Sequence, residues 1–308
     1  MGKVLFSYSL FEPKSLFSEK RAHDKHNTAL RYWYNLPLIP AINNILFPNS
    51  ETRLYVSKSI WDNPLSEVIS ALVEQFDSFK VVSKEDNYNT IEPTFWRFEP
   101  IFDKTYDAVF TRDVDSLPSK EEFLLSAYFL SDPNYSIQTI RSHPNHIFPI
   151  TIMLAGLSGF KPKQISNLEK SSYEQFCETY LTEEYGSDQK ALINFFTKDK
   201  DFVSNQFLDC RINKMAKLPK PLIDCKTLVY DKKLEKSFQN HQVSELIKYL
   251  EKNIAWSGEP IDIRGLPISD FLQLNYPAIK LLLSSLSLCS KQTRDFYLFK
   301  QENFYPQP

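Results

Sequence analysis

Asp113-Val114-Asp115 is the sharpest chemical feature of the chain. It follows Tyr106-Asp107-Ala108-Val109-Phe110, which has the length and apolar content of a buried strand. Ligands of open α/β sheets sit beyond the carboxyl ends of strands, where this pair falls. Two carboxylates one residue apart can share a hard divalent cation, Mg2+ or Mn2+, directly or through water. Such a cation bridges phosphate oxygens and neutralises charge on a departing diphosphate. The plain alternative is two solvated acids in a loop. Arg97 and Arg112 can add positive charge beside these acids or on phosphates, or else form structural salt bridges.

Other groups carry weaker signals. His143 and His146 have the spacing of a metal pair, but Pro144 disfavours the helical turn that pairing needs. Hydrogen bonding to phosphate or sugar hydroxyls suits them better, with ordinary loop histidines as the alternative. Gly156 and Gly159 stand out in a chain with only 6 glycines. They can let the backbone approach a sugar closely, or mark a turn or bulge. Asp188-Gln189 can bind hydroxyls or act as a base, or can be a plain helix N-terminal pair.

The elements that must position these residues read as a wound sheet. Lys3–Leu10 has the content of a buried first strand, and Thr52–Ser57 and Phe79–Val82 of two more. Between the last two, Leu65, Val68, Ile69, Leu72, Val73 and Phe76 repeat at helical spacing. Residues 27–46 are aromatic-rich and helical in parts, broken near Pro37 and Pro40. Thr94–Pro100 reads as a helix face leading into the sheet. After the Asp113 loop, Ser119 and Glu122 make a capping box for a further helix, and Ile137–Ile140 is a short strand. Leu192, Ile193 and Phe196 suggest a helix after Ser187-Asp188-Gln189. Strand, helix, strand in this order predicts an α/β fold. From about Lys226 the pattern changes to helical segments at 243–250 and 268–288, so the chain divides into a domain over 1–225 and a helical C-terminal extension over 226–308 packed on it.

Composition narrows the function. The 308 residues carry 36 Lys+Arg against 38 Asp+Glu, a net charge of -2, which argues against a nucleic-acid partner held through phosphate neutralisation. No GxGxxG or GxxxxGK[ST] phosphate loop is present. The 4 cysteines are scattered, without CxxC, as reduced thiols of an intracellular protein are. The N-terminal apolar run is too short for a signal-peptide core. Ile147–Leu157 falls short of the roughly 20 apolar residues of a spanning helix, so no transmembrane segment is expected and the protein reads as soluble.

Taken in order, Trp96-Arg97-Phe98, Arg112-Asp113-Val114-Asp115-Ser116, Arg141-Ser142-His143-Pro144-Asn145-His146, Ala155-Gly156-Leu157-Ser158-Gly159 and Ser187-Asp188-Gln189 resemble the DxD-containing GT-A glycosyltransferases of large algal viruses and some bacteria. The resemblance spans roughly residues 3–196. That family commonly has an acid where this chain has Ser142, and a Gly-Gly pair followed by Trp where it has Ala155-Gly156 and Ser158. The resemblance implies a GT-A (Rossmann-like) fold and a cytoplasmic, virus-encoded or bacterial enzyme. That enzyme would move a sugar from a nucleotide-sugar donor, a UDP-sugar, to a glycan or other hydroxyl acceptor with Mn2+ or Mg2+. It implies a donor bound near Ser7-Tyr8-Ser9, with Arg97, Arg112, His143, His146, Gly156 and Gln189 around it. Asp115 would be the direct metal ligand, Asp113 would contact ribose or metal, and Asp188 would be the base if transfer inverts. A non-catalytic nucleotide-sugar or glycan-binding module and a metal-dependent phosphohydrolase are the competing readings.

Overall fold

Val4–Leu10 (β1) is buried on both sides, as a strand at the centre of a covered parallel sheet must be. The computed structural model describes residues 2–11, 30–86, 91–115, 120–141, 153–184, 186–196, 207–211 and 284–298. β1 pairs in parallel with Glu51–Ser57 (β2) on one side and with Ala108–Arg112 (β4) on the other, and β2 pairs in parallel with Phe79–Lys84 (β3). Leu157–Phe160 (β6) runs antiparallel between β4 and Ile137–Arg141 (β5), and Phe207–Arg211 (β7) lies parallel to β5. The result is a mixed seven-stranded sheet of order β3-β2-β1-β4-β6-β5-β7, the expected α/β, Rossmann-like class.

Helices cover both faces. Leu30–Asn35 (α1) and Ile39–Leu46 (α2) are joined by a 3-10 turn at Leu36–Leu38; Pro37 lies in that turn and Pro40 at the start of α2, where a missing N–H costs nothing. Glu67–Gln75 (α3) buries Val68, Ile69, Ala71 and Leu72. These helices and Phe129 of Lys120–Ser131 (α4) cover one face, against Val4, Phe6, Tyr8, Leu10 and Phe110. On the other face, Leu5 and Val109 meet Phe95, Phe98, Phe176, Phe195 and Phe196, contributed by the 92–102 segment, Tyr173–Tyr180 (α5) and Ser187–Phe196 (α6). The expected helix at 94–100 is a 3-10 segment, Trp96–Phe102: Pro93 and Pro100 each remove a backbone donor that an α-helix would use.

Residues 284–287 are helical, and Lys291–Leu298 forms α7. The Tyr297 hydroxyl donates to the Trp33 carbonyl at 3.0 Å and the Ser290 N–H to Glu67 Oε2 at 2.7 Å, so this stretch closes over α1 and α3. Leu286, Cys289 and Tyr297 complete the first apolar cluster. The helical segment expected at 243–250, most of the one at 268–288 and the cap residue Ser119 lie outside the described residues. Among the described residues no helix is long and apolar enough to cross a membrane.

Candidate active site

The sheet order reverses at β1: the chain moves outward through β2 and β3, then returns to the other side of β1 as β4. The carboxyl ends of β1 and β4 therefore mark the topological switch point, where ligands of open α/β sheets bind. Asp113-Val114-Asp115 is the first turn past β4 and lies at that point. Val114 is buried in the first apolar cluster and pins the turn.

Arg97 organises the site. Its Nη1 donates to Asp113 Oδ1, and its Nη2 donates to Asp188 Oδ2 at 2.7 Å. The arginine side chain is 8% exposed and Asp188 13%, whereas Asp113 remains 49% exposed. Asp188 lies in the first turn of α6, where its Oδ1 accepts from the Gln189 N–H at 2.9 Å and the helix N-terminus favours negative charge. Burial of Arg97 disfavours its charge, but Asp113 and then Asp188 reverse this and hold the guanidinium more firmly protonated than usual. For Asp188 burial dominates: it pushes the carboxyl above its ordinary range, Arg97 opposes, and Asp113 adds to the rise.

A tight turn supports the strand tip from the side. Thr111 Oγ1 donates to the Ala155 carbonyl at 2.7 Å, and Ser158 Oγ to the Leu154 carbonyl at 2.7 Å. This sets Gly156 against Asp113, where a Cβ would overlap the carboxylate. The room that Gly156 leaves is thus taken up by the Asp113 carboxylate. Gly159 has a different duty: in β6 it faces Phe110, and a Cβ there would stand 2.7 Å from the Phe110 ring.

Two of the expected donor contacts, Tyr8 and Arg112, are instead fully buried. Tyr8 is fully buried on the apolar face, where its hydroxyl accepts from Asn43 Nδ2 at 3.1 Å. Alternation along β4 puts Arg112 on the Phe110 face, away from Asp113, and it is 1% exposed. Arg97 directs one N–H of each terminal nitrogen at a carboxylate, and its buried Nε has no partner among the described residues. Ser7 and Ser9 lie on the same face of β1 as Leu5, with Ser7 paired in register with Thr111. Their buried hydroxyls have no hydrogen-bond partner among the described residues, and Ser9 is only half-buried. Gln189 is half-buried beside Asp188. His143 and His146 lie outside the described residues.

The Arg97–Asp188 link was not read from the sequence, because nothing local joins residues 91 positions apart. Nor was the network of Glu51, Arg53 and Tyr106, in which Arg53 Nη2 donates to the Tyr106 hydroxyl at 2.6 Å and to Glu51 Oε1 at 2.7 Å. It sits at the start of β2, the opposite end of the strands from Asp113, and its role there is structural. Cys177 and Cys289 are free thiols, and burial pushes each up to about 11.

Among the described residues no group of three or more His, Cys, Asp or Glu side chains converges as a complete metal cage. Asp113, half-exposed and held by Arg97, and Asp115, 5% exposed, are hard oxygen donors, and a cation held by them would draw its remaining ligands from water and substrate phosphate. No family model and no curated protein matches the chain. Among solved structures it is similar to the mannosyltransferase PcManGT from Pyrobaculum calidifontis in complex with GDP-Man and Mn2+, at 12% identity, covering 96% of this chain and 78% of that one with a TM-score of 0.38. A TM-score of that size carries no argument on its own.

Proposed function

We propose that the chain is a divalent-cation-dependent glycosyltransferase of the GT-A kind, moving a sugar from a nucleotide-sugar donor, a UDP-sugar, to a hydroxyl of a glycan or other acceptor. The supporting observation is the juxtaposition of the Asp113-Val114-Asp115 strand tip with Asp188 through one buried arginine, at the switch point of the sheet. A paired acid alone is common; a paired acid beside a third, buried carboxyl at a ligand crevice is what donor activation and acceptor deprotonation together need.

In this reading Asp115 and the half-exposed Asp113 hold Mn2+ or Mg2+, which supplies positive charge to the departing diphosphate. Ser9, at the open end of β1, and the Ser7 hydroxyl beneath it line the donor side, with His143 and His146 offering hydrogen bonds to phosphate or sugar. Asp188 is the base for the acceptor hydroxyl in an inverting transfer. Each of its oxygens keeps a second lone pair, and burial raises its pKa in the direction a general base requires. Gln189 is set to bind a sugar hydroxyl. Residues 1–225 form the transferase domain of a cytoplasmic enzyme, and 226–308 are an extension packed on it.

The test is a screen of UDP- and GDP-sugars with Mn2+, scored by nucleoside diphosphate release. Release that needs the cation and disappears in Asp115→Ala, with the fold retained, supports the assignment. Release of inorganic phosphate from simple phosphoesters instead would make it a phosphohydrolase, and binding without turnover would make it a binding module.

A further inference from the structure

We propose that Arg97 is a positioning residue: it sets where Asp188 stands relative to the Asp113–Asp115 strand tip and couples the two sides of the site. The inference takes the roles of the acids from the glycosyltransferase reading, but its geometry does not depend on it.

The guanidinium is a rigid planar fork, and here its two terminal nitrogens go to different carboxylates on different elements. One is at a strand tip 16 residues away and the other at a helix start 91 residues away. The buried Trp96 and Phe98 on either side fix the 3-10 segment that carries Arg97, so the fork is not free to follow either acid. Asp113 is hemmed in from the far side by Gly156, and Asp188 by the Gln189 N–H. One cation shared between two anions makes them competitors: neutralise one, and the guanidinium tightens on the other. A metal ion that uses Asp113 competes with Arg97 for the same carboxylate.

This predicts effects of opposite sign, which a merely structural arginine would not give. Replacing Arg97 by Met removes its competition for Asp113, so Mn2+ should bind about tenfold more tightly, while the unanchored Asp188 lowers kcat about 100-fold with KM little changed. Replacing Asp188 by Asn strengthens the Arg97 grip on Asp113, so Mn2+ should bind about fivefold more weakly; in the Arg97→Met background the same change should move it less than about twofold. The experiment is a Mn2+ titration of the full chain, followed by electron paramagnetic resonance, for the wild type, both single variants and the double variant. Equal effects of Asp188→Asn in the two backgrounds would overturn the coupling.

A crystal structure of Arg97→Met tests the positioning itself without any ligand: the Asp188 carboxylate must leave its place, and an unmoved carboxylate refutes the claim. If Arg97→Met does not fold, Arg97→Lys serves both measurements, since a single ammonium keeps the charge but cannot hold two carboxylates in a fork. A wild type that neither binds Mn2+ nor releases nucleoside diphosphate would sink the glycosyltransferase reading, and the crystal structure would still decide the role of Arg97.

Discussion

On one face of the sheet, Val4, Phe6, Tyr8 and Leu10 of β1 join Ala108 and Phe110 of β4 in an apolar cluster; on the other, Leu5 and Val109 give way to Ser7, Ser9 and Thr111 as the strands run toward their carboxyl ends. The same two strands therefore build a stabilising face and a face that grades from aromatic core into polar site. Buried hydroxyls without partners cost stability, and those of Ser7 and Ser9, unpaired among the described residues, lie on the second face, where β1 meets the Trp96–Phe102 segment. The contrast teaches where to look for chemistry: not where burial is most complete, but where a buried polar group is retained at a strand end.

Substitutions on the two faces should separate cleanly. The largest effect expected is on the polar side: Asp115→Ala should lower cation-dependent turnover of the folded protein about 10^3-fold. Nearly as large, but in stability, Phe6→Ala should cost about 3–5 kcal/mol in denaturant unfolding, because its ring packs 5.0 Å from Phe47 and 5.1 Å from Phe110. The folded fraction of Phe6→Ala should keep its KM, and a changed KM would blur the division between the faces. Gly156→Ala lies on the boundary: the new methyl displaces Asp113 or the 154–156 turn, at about 1–3 kcal/mol, and turnover should fall with it.

The smallest effect expected is a pH dependence. The Asp188 carboxyl is raised in the folded state, so the folded protein binds that proton more tightly than the unfolded chain. Its contribution favours folding below the unfolded carboxyl range, about pH 3.9, and is lost as pH rises through the folded value. Measured against Asp188→Asn, wild-type stability should therefore decline as pH climbs from about 4. A rise over that interval would mean that the Arg97 pair outweighs burial.

The stabilising face was the more legible in the sequence. β1, β2 and β3 are runs of apolar, aromatic and β-branched residues, and helix α3 keeps a regular apolar period. Legibility failed where polar or small residues serve the sheet. β4 continues through Thr111 and Arg112, which look like loop residues until the Thr111 bond to the Ala155 carbonyl explains the first. β6 is four residues long, two of them Ser158 and Gly159, and Gly159 with the preceding Gly156 suggests a sugar contact, a turn or a bulge before it suggests a strand. α5 carries a local signal, the Ser172–Gln175 capping box at its start. At the site, Asp113 and Asp115 were readable as a pair, and Asp188 as a helix-start acid. Their connection was not, since Arg97 and Arg112 look equivalent in sequence and only strand parity and the 3-10 segment put them on opposite faces.

The most direct test of the central claim is anomalous diffraction from crystals soaked with Mn2+ and a UDP-sugar. The account predicts a manganese peak bound to the Asp115 carboxylate and the donor diphosphate at the carboxyl ends of β1 and β4, with Asp188 facing the sugar. A fully occupied donor with no metal at the strand tip, or a manganese peak held by other residues, would contradict it.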